Sequence, residues 1–405
     1  MFNSQLAHHI TMYKFEQNDK LGFYQFGESK FHNKVVALVE GTKQNQFPEW
    51  NFNRDLFDKI DWAAEPNIDL KELYRQRAQQ LREKYDYIRL EASGGGDSTT
   101  VAYSFLLNGI HLDEVVFRYP KKGEKNVTDD PFNTKPENTL SEYKFAAQPL
   151  LHWIATNYPK TKITVHDYSE DMLASSHDES WVYTTRDFFQ PGHPFKFTVD
   201  AVDSHKDVLN QGKTVCMLYG IDKPKVCIKD KKWYLYFMDI QANSANPVIG
   251  EYTNATNEYF YWTPDLPELL AKQAHVIMNW FNLESNKNLQ HLVRWPNYSF
   301  AQRTTFEHII KPLIYPDYDQ TTFQTGKPTN SFYNEMDFWF YTNFKDTHTY
   351  NVWQAGLQHL TDSIDAKYFN YELGKPVGLV GLISPFYYLG EAKFEDPGHN
   401  LHFKF

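Results

Sequence analysis

The segment that most restricts this chain is Ser93-Gly94-Gly95-Gly96-Asp97-Ser98. It follows a run of strand character, Tyr85-Asp86-Tyr87-Ile88-Arg89-Leu90-Glu91-Ala92, and precedes Val101, Ala102, Phe105 and Leu106 at helical spacing. Consecutive glycines break a strand and allow a turn in which φ > 0 costs little and the backbone N–H groups are unshielded. Asp97, Ser98 and Thr99 can open the helix, Asn108-Gly109 stops it, and Val115-Val116-Phe117-Arg118-Tyr119 resumes as a strand. Residues 85–119 therefore predict one βαβ unit and, with it, a parallel sheet.

A glycine-rich turn between a strand and a helix is a polyphosphate site in physical terms. Successive N–H groups form an anion-binding concavity, and the helix start adds its dipole and its unpaired amides. Ser93, Ser98 and Thr99 can donate hydroxyl hydrogen bonds to phosphate oxygens. Asp97 would repel phosphate and suits Mg²⁺ instead.

Strand, Ser-Gly-Gly-x-Asp-Ser, helix resembles the signature of the PP-loop ATP pyrophosphatase superfamily. That group includes asparagine synthetases, GMP and NAD synthetases, tRNA lysidine and thiolation enzymes, and phosphoadenylyl-sulfate reductases. The loop is not a Walker A loop, because no Gly-Lys-Ser/Thr follows it. The match covers residues 85 to about 120. It implies an α/β fold with a doubly wound, mostly parallel sheet, Rossmann-like and related to the adenine nucleotide α-hydrolases. It also implies ATP and Mg²⁺ as cofactors, with ATP bound by Ser93, Gly94, Gly95, Gly96, Asp97, Ser98 and Thr99. By position in similar enzymes, Val116, Phe117 and Arg118 match the adenine site, although core packing explains them equally. Gly220 and Asp222, in Tyr219-Gly220-Ile221-Asp222-Lys223-Pro224, match a late strand end that faces the phosphates. There Asp222 would join Asp97 as a metal ligand and Lys223 would contact phosphate; a plain turn is the alternative. A downstream lysine for the leaving pyrophosphate would be Lys272, Lys311 or Lys327, each of which could equally be a surface lysine. His275 shares a predicted helix face with Lys272 and reads as a general base or a structural histidine, and Arg186 as a carboxylate clamp.

Composition narrows the chemistry. The chain carries only two cysteines, Cys216 and Cys227, with no metal or redox spacing. That argues against reductase, sulfur-transfer and zinc chemistry, and is the usage expected in a reducing cytoplasm. Phe2 stands where glutamine-dependent asparagine synthetases carry a catalytic Cys, so the expected nitrogen donor is ammonia or an amine. The formal net charge of −10 over 405 residues argues against a broad nucleic-acid footprint, without excluding a local basic face. No secretory signal and no membrane-spanning apolar run is recognisable. Aromatic residues make up 17% of the chain, which suits a large core and half-wet pockets alike.

The expected organisation is a β-rich N-terminal extension (1–69), an α/β ATP-binding domain (70–260) and a mixed, largely helical, aromatic-rich substrate region (261–405). Within the first, residues 21–26 and Lys34-Val35-Val36-Ala37-Leu38-Val39 read as strands. Helices are expected over 70–84, 143–157, 199–210 and 266–281, strands over 162–166 and 214–219, and a hairpin from 226–228 and 232–237. The functional expectation is adenylation. An acceptor oxygen attacks the α-phosphate of ATP, pyrophosphate leaves, and a nitrogen nucleophile displaces AMP, as in asparagine-synthetase-like ligases. The alternatives are an adenylase acting on a tRNA or DNA base, which needs a basic face near the loop, and a nucleotide-binding protein akin to phosphoadenylyl-sulfate reductases without the redox Cys.

Overall fold

The computed structural model describes residues 17–119, 143–167, 205–239, 252–296, 300–319, 347–372 and 374–393, with positions 121, 169, 182 and 345. In chain order the elements begin with β1 (Phe23–Phe26), β2 (Ser29–Phe31), α1 (Lys34–Gln44), β3 (Glu49–Asn51), α2 (Arg54–Phe57) and α3 (Leu70–Lys84). Then follow β4 (Tyr87–Glu91), α4 (Gly96–Leu106), β5 (Glu114–Tyr119), α5 (Gln148–Asn157), β6 (Lys162–Asp167), α6 (Lys206–Asn210) and β7 (Val215–Tyr219). The remainder comprises β8 (Lys225–Lys229), β9 (Lys232–Tyr236), β10 (Ala255–Tyr259), α7 (Pro267–Phe281), α8 (Phe300–Ile314), α9 (His348–Ser363), β11 (Phe369–Glu372), β12 (Lys375–Leu379) and β13 (Tyr387–Glu391).

The centre is a five-stranded, all-parallel sheet in the order β10-β7-β4-β5-β6. Buried Ile88 and Leu90 on β4, Val115 and Val116 on β5, and Val215 to Leu218 on β7 give it the near-continuous apolar strands of a sheet covered on both faces. From β4 the chain steps to β5 and β6 on one side, then returns to place β7 and β10 on the other. The order therefore reverses between β4 and β7. In open α/β sheets the crevice at such a reversal, outside the carboxyl ends of the strands, is where ligands bind. The α/β expectation holds, with Rossmann-like strand order.

Helix α3 shows why its pattern was legible. Asp69 caps it by accepting a hydrogen bond from the Glu72 amide at 2.9 Å, and Leu70, Leu73, Tyr74, Ala78 and Leu81 form its buried stripe. The stretch expected as a strand at 34–39 is instead the start of α1. Asn33 accepts from the Val36 amide at 3.0 Å as an N-cap, and Val35, Leu38 and Val39 bury one helical face against Trp353, Leu360 and Ile364. A short apolar run with no alternation fits either element, and the cap with its i, i+3, i+4 face decides. Of the helix expected over 199–210, Lys206–Asn210 is helical as α6, and residues 199–204 lie outside the described residues.

The expected hairpin is β8–β9, turned by Asp230 and Lys231 at φ 51° and 61°. It does not extend the parallel sheet but forms a separate antiparallel sheet with β13. One apolar core runs from Tyr24, Trp50 and Phe52 through the parallel sheet to α7, Tyr387 and Leu389, so the three expected segments share it. No described helix is long and apolar enough to cross a membrane.

Candidate functional site

The glycine loop leaves the carboxyl end of β4, and α4 starts at Gly96 with Gly95 as N-cap and no side-chain cap. Gly94 lies at φ +77°, and a Cβ there would come within 2.4 Å of the Ala147 amide nitrogen, so both conformation and space demand glycine. The rings of Tyr315 and Tyr318 would lie 3.3 Å from a Cβ on Gly96. The loop braces itself: Ser98 Oγ accepts from the Ser93 amide at 3.1 Å, Thr99 Oγ1 donates to the Gly94 carbonyl at 3.3 Å, and the Gly95 amide donates to Ser93 Oγ at 3.3 Å. The amides of Gly94, Gly96, Asp97 and Ser98 meet no acceptor among the described residues. The hydroxyls of Ser98 and Thr99, expected to reach phosphate, are buried and hold the turn instead. Ser93 is exposed.

The end of β7 meets this helix start. A Cβ on Gly220 would sit 3.1 Å from Asp97 C and Ser98 N, so glycine allows the two backbones to touch. That contact brings Asp222 and Lys223 beside Asp97. Lys223 Nζ lies 2.7 Å from Asp97 Oδ2 and 3.2 Å from Asp222 Oδ1, and Lys225 Nζ lies 2.7 Å from Asp222 Oδ2. Tyr315 donates its hydroxyl to Asp97 Oδ1, and Tyr261 donates to the Asp97 carbonyl at 2.7 Å. Burial alone would raise the Asp222 carboxyl, but the Lys223 and Lys225 ammonium groups outweigh it and hold it well below the usual carboxylate range. Burial likewise works against the Lys223 charge, and Asp222 and then Asp97 more than restore it. Burial first, then the Asp97 carboxylate, pushes the Tyr315 hydroxyl far above its ordinary value, so it is a fixed donor.

Asp97 and Asp222, expected as magnesium ligands, are thus joined by an ammonium. Each of their four carboxylate oxygens already accepts a hydrogen bond from Lys223, Lys225 or Tyr315. No group of three or more His, Cys, Asp or Glu side chains is placed to hold a metal ion among the described residues. The donor set as folded does not fit a resident Mg²⁺, which would have to displace a lysine from either carboxylate.

The other expected residues disperse. Lys272 pairs with Glu65 at 2.7 Å and lines an open cleft of about 1000 Å³ with Asp69, Arg75 and Pro316, and none of residues 93–99 lines that cleft. His275, buried, bonds the Trp62 carbonyl at 2.9 Å and is structural. Lys311 lies on α8 one turn before Tyr315, whose amide donates to its carbonyl. Phe117 packs in the core against Tyr119 and Tyr143, and Arg118 is buried and paired with Glu91 at 3.2 Å. Lys327 and Arg186 lie outside the described residues. Sequence reading missed Tyr261, Tyr315 and Lys225. The two tyrosines stand 164 and 218 positions from Asp97 and left no local signal, whereas Lys225 was legible in principle as the i+3 partner of Asp222. No protein-family model matches the chain, and no curated protein is significantly similar to it.

Proposed function

We propose that the glycine loop holds the triphosphate of ATP and that the protein activates an acceptor oxygen as an adenylate, with release of pyrophosphate. The observation that carries this reading is the set of amides at Gly94, Gly96, Asp97 and Ser98. They have no acceptor among the described residues and sit at an uncapped helix start, on the strand where the sheet order reverses. Lys223, charged and adjacent, adds the cationic group that a phosphate site needs.

In the reaction the acceptor oxygen attacks the α-phosphorus, the bond from that phosphorus to the α,β-bridging oxygen breaks, and the electron pair leaves with pyrophosphate. An amine or ammonia then attacks the activated carbon, loses a proton and displaces AMP. The work of this chain is to position the phosphates on fixed amides and to stabilise the departing charge with Lys223, with Tyr315 and Tyr261 holding Asp97 in place. Magnesium is assigned no step by these residues.

The test is product analysis with ATP, divalent ion and candidate acceptors, both amino acids and nucleic acids. Pyrophosphate and AMP are expected. ADP with orthophosphate, or no nucleotide binding by the intact chain, overturns the reading.

A further inference from the structure

The antiparallel sheet β8–β9–β13 turns Val226, Trp233, Leu235, Tyr387 and Leu389 into the core. Cross-strand partners share a face, so its other face carries Lys225 opposite Tyr236, Lys229 opposite Lys232, and Tyr234 opposite Tyr388. Phe386 and Trp295 complete an aromatic ridge on this side. Ring centroids are 5.3 Å apart for Tyr236 and Trp295, 5.0 Å for Trp295 and Phe386, 5.8 Å for Tyr234 and Phe386, and 6.1 Å for Tyr234 and Tyr388. Tyr388 is 41% exposed, and the other four are half-buried.

The charge on this ridge is locally positive, with Glu391, the cross-strand partner of Lys232, as the carboxylate on the same face, where it accepts from the Tyr388 hydroxyl at 2.7 Å. Residues 225–232 hold four lysines against one aspartate, in a protein of formal net charge −10. Lys229 Nζ stands 5.0 Å from the Phe386 ring centre and Lys232 Nζ 5.8 Å from that of Tyr388. Partly exposed rings with ammonium groups alongside offer what a single strand of nucleic acid requires, π-faces for unstacked bases and cations for the backbone. A peptide or acidic protein would use the lysines but has no need of five adjoining rings. The face also has a direction. At one end Lys225 contacts Asp222 at 2.7 Å, beside the glycine loop, and Lys229 at the other end lies about 13 Å away along the strand.

We propose that this face binds a single-stranded nucleic acid, with bases stacked on Tyr388, Tyr234 and Phe386 and phosphates paired by Lys229 and Lys232. The strand leads toward the Lys225 end and hence toward the loop. The binding face stands on its own geometry; that the bound strand is also the acceptor rests on the adenylation reading.

The test is fluorescence anisotropy of labelled oligo(dT) and oligo(U) with the full chain, without nucleotide, at low and at physiological salt, with a blunt DNA duplex as comparison. Single strands are expected to bind more tightly than the duplex, and the dT and U arms tell DNA from RNA. Tyr388→Ala is expected to weaken binding about five- to a hundredfold, and Tyr388→Phe to preserve it. Lys229→Glu with Lys232→Glu should weaken binding and flatten the dependence of log affinity on log salt by about one unit. Thermal melting of each variant confirms that the fold is retained, and Tyr388, being exposed, is the variant least able to disturb it. Absence of binding at low salt, equal affinity for duplex, or variants that bind as the parent does overturns the proposal. Oligonucleotide binding that survives while no pyrophosphate is ever released would sink the adenylation reading and leave the binding face standing.

Discussion

Burial pushes the Lys223 ammonium toward neutrality, yet Asp222 and Asp97 on either side raise its proton affinity, so the charge persists inside the site. Removing it leaves two carboxylates facing each other with less compensation. Lys223→Met is therefore expected to lower pyrophosphate release by about two to three orders of magnitude, through loss of charge stabilisation. It should also cost about 3–5 kcal/mol of stability, as for breaking a buried pair from one side. Steady-state kinetics and urea unfolding separate the two effects, and a variant with parental activity would remove Lys223 from the mechanism. Tyr315→Phe keeps the ring over Gly96 and deletes the hydroxyl that bonds Asp97 and also Tyr261. A stability loss of about 1 kcal/mol is expected, with a larger effect on turnover than on fold. Gly94→Ala forces a side chain into φ +77° and into the Ala147 backbone, and a loss of about 2 kcal/mol or more should appear as a lowered melting temperature.

At the scale of elements, the same local chemistry reads differently at two helix starts. Helix α1 is closed by the Asn33 side chain, so Asn33→Ala should cost about 1 kcal/mol, measurable by chemical denaturation. Helix α4 begins at a glycine with no such cap, and its first amides meet no acceptor among the described residues, although Gly94, Gly96 and Ser98 are buried. A helix start of this kind is conspicuous in sequence because three glycines and a capping-type run adjoin an apolar strand. What surrounds its amides was not legible there, since Ala147 packs on Gly94 and Gly220 packs on Asp97 and Ser98 from other elements. The 34–39 stretch failed for a related reason. Its apolar run has no alternation, and the Asn33 cap with the packing of one helical face on α9 distinguishes a helix from a buried strand.

For the molecule as a whole, ion pairs tie distant segments together. Lys34 and Asp239, both fully buried and 2.9 Å apart, join α1 to the segment that follows β9, and Lys34 also donates to the Val380 carbonyl at 2.7 Å. The folded-state carboxyl of Asp222 lies below its unfolded value of about 3.9. That of Glu114 is likewise lowered, because His205, Thr164 and Arg89 overcome the effect of burial. Below the unfolded values the unfolded chain binds more protons than the folded one, so stability rises with pH there. The contribution of these groups is complete above about pH 5 and is lost as pH falls below about 4 toward the lowered folded values. Urea midpoints measured from pH 7 downward should show that decline, and Asp222→Asn should flatten it. An unchanged slope would show that Asp222 titrates alike in both states.

By itself the sequence determined the βαβ unit, the parallel sheet and the place of the glycine turn, because periodicity, glycine and capping residues act over fewer than ten positions. Only the tertiary structure decided which charges meet. Asp97 and Asp222 are carboxylates of the type that suits a metal, yet their oxygens accept from lysines that follow β7 and open β8 and from a tyrosine just past α8. Lys223 is marked in the sequence by its place beside Asp222, whereas nothing local separates Lys272 from Lys311, and the fold pairs Lys272 with Glu65. Electrostatic partners are set by distance in space, and no local pattern encodes a contact between residues 97 and 315.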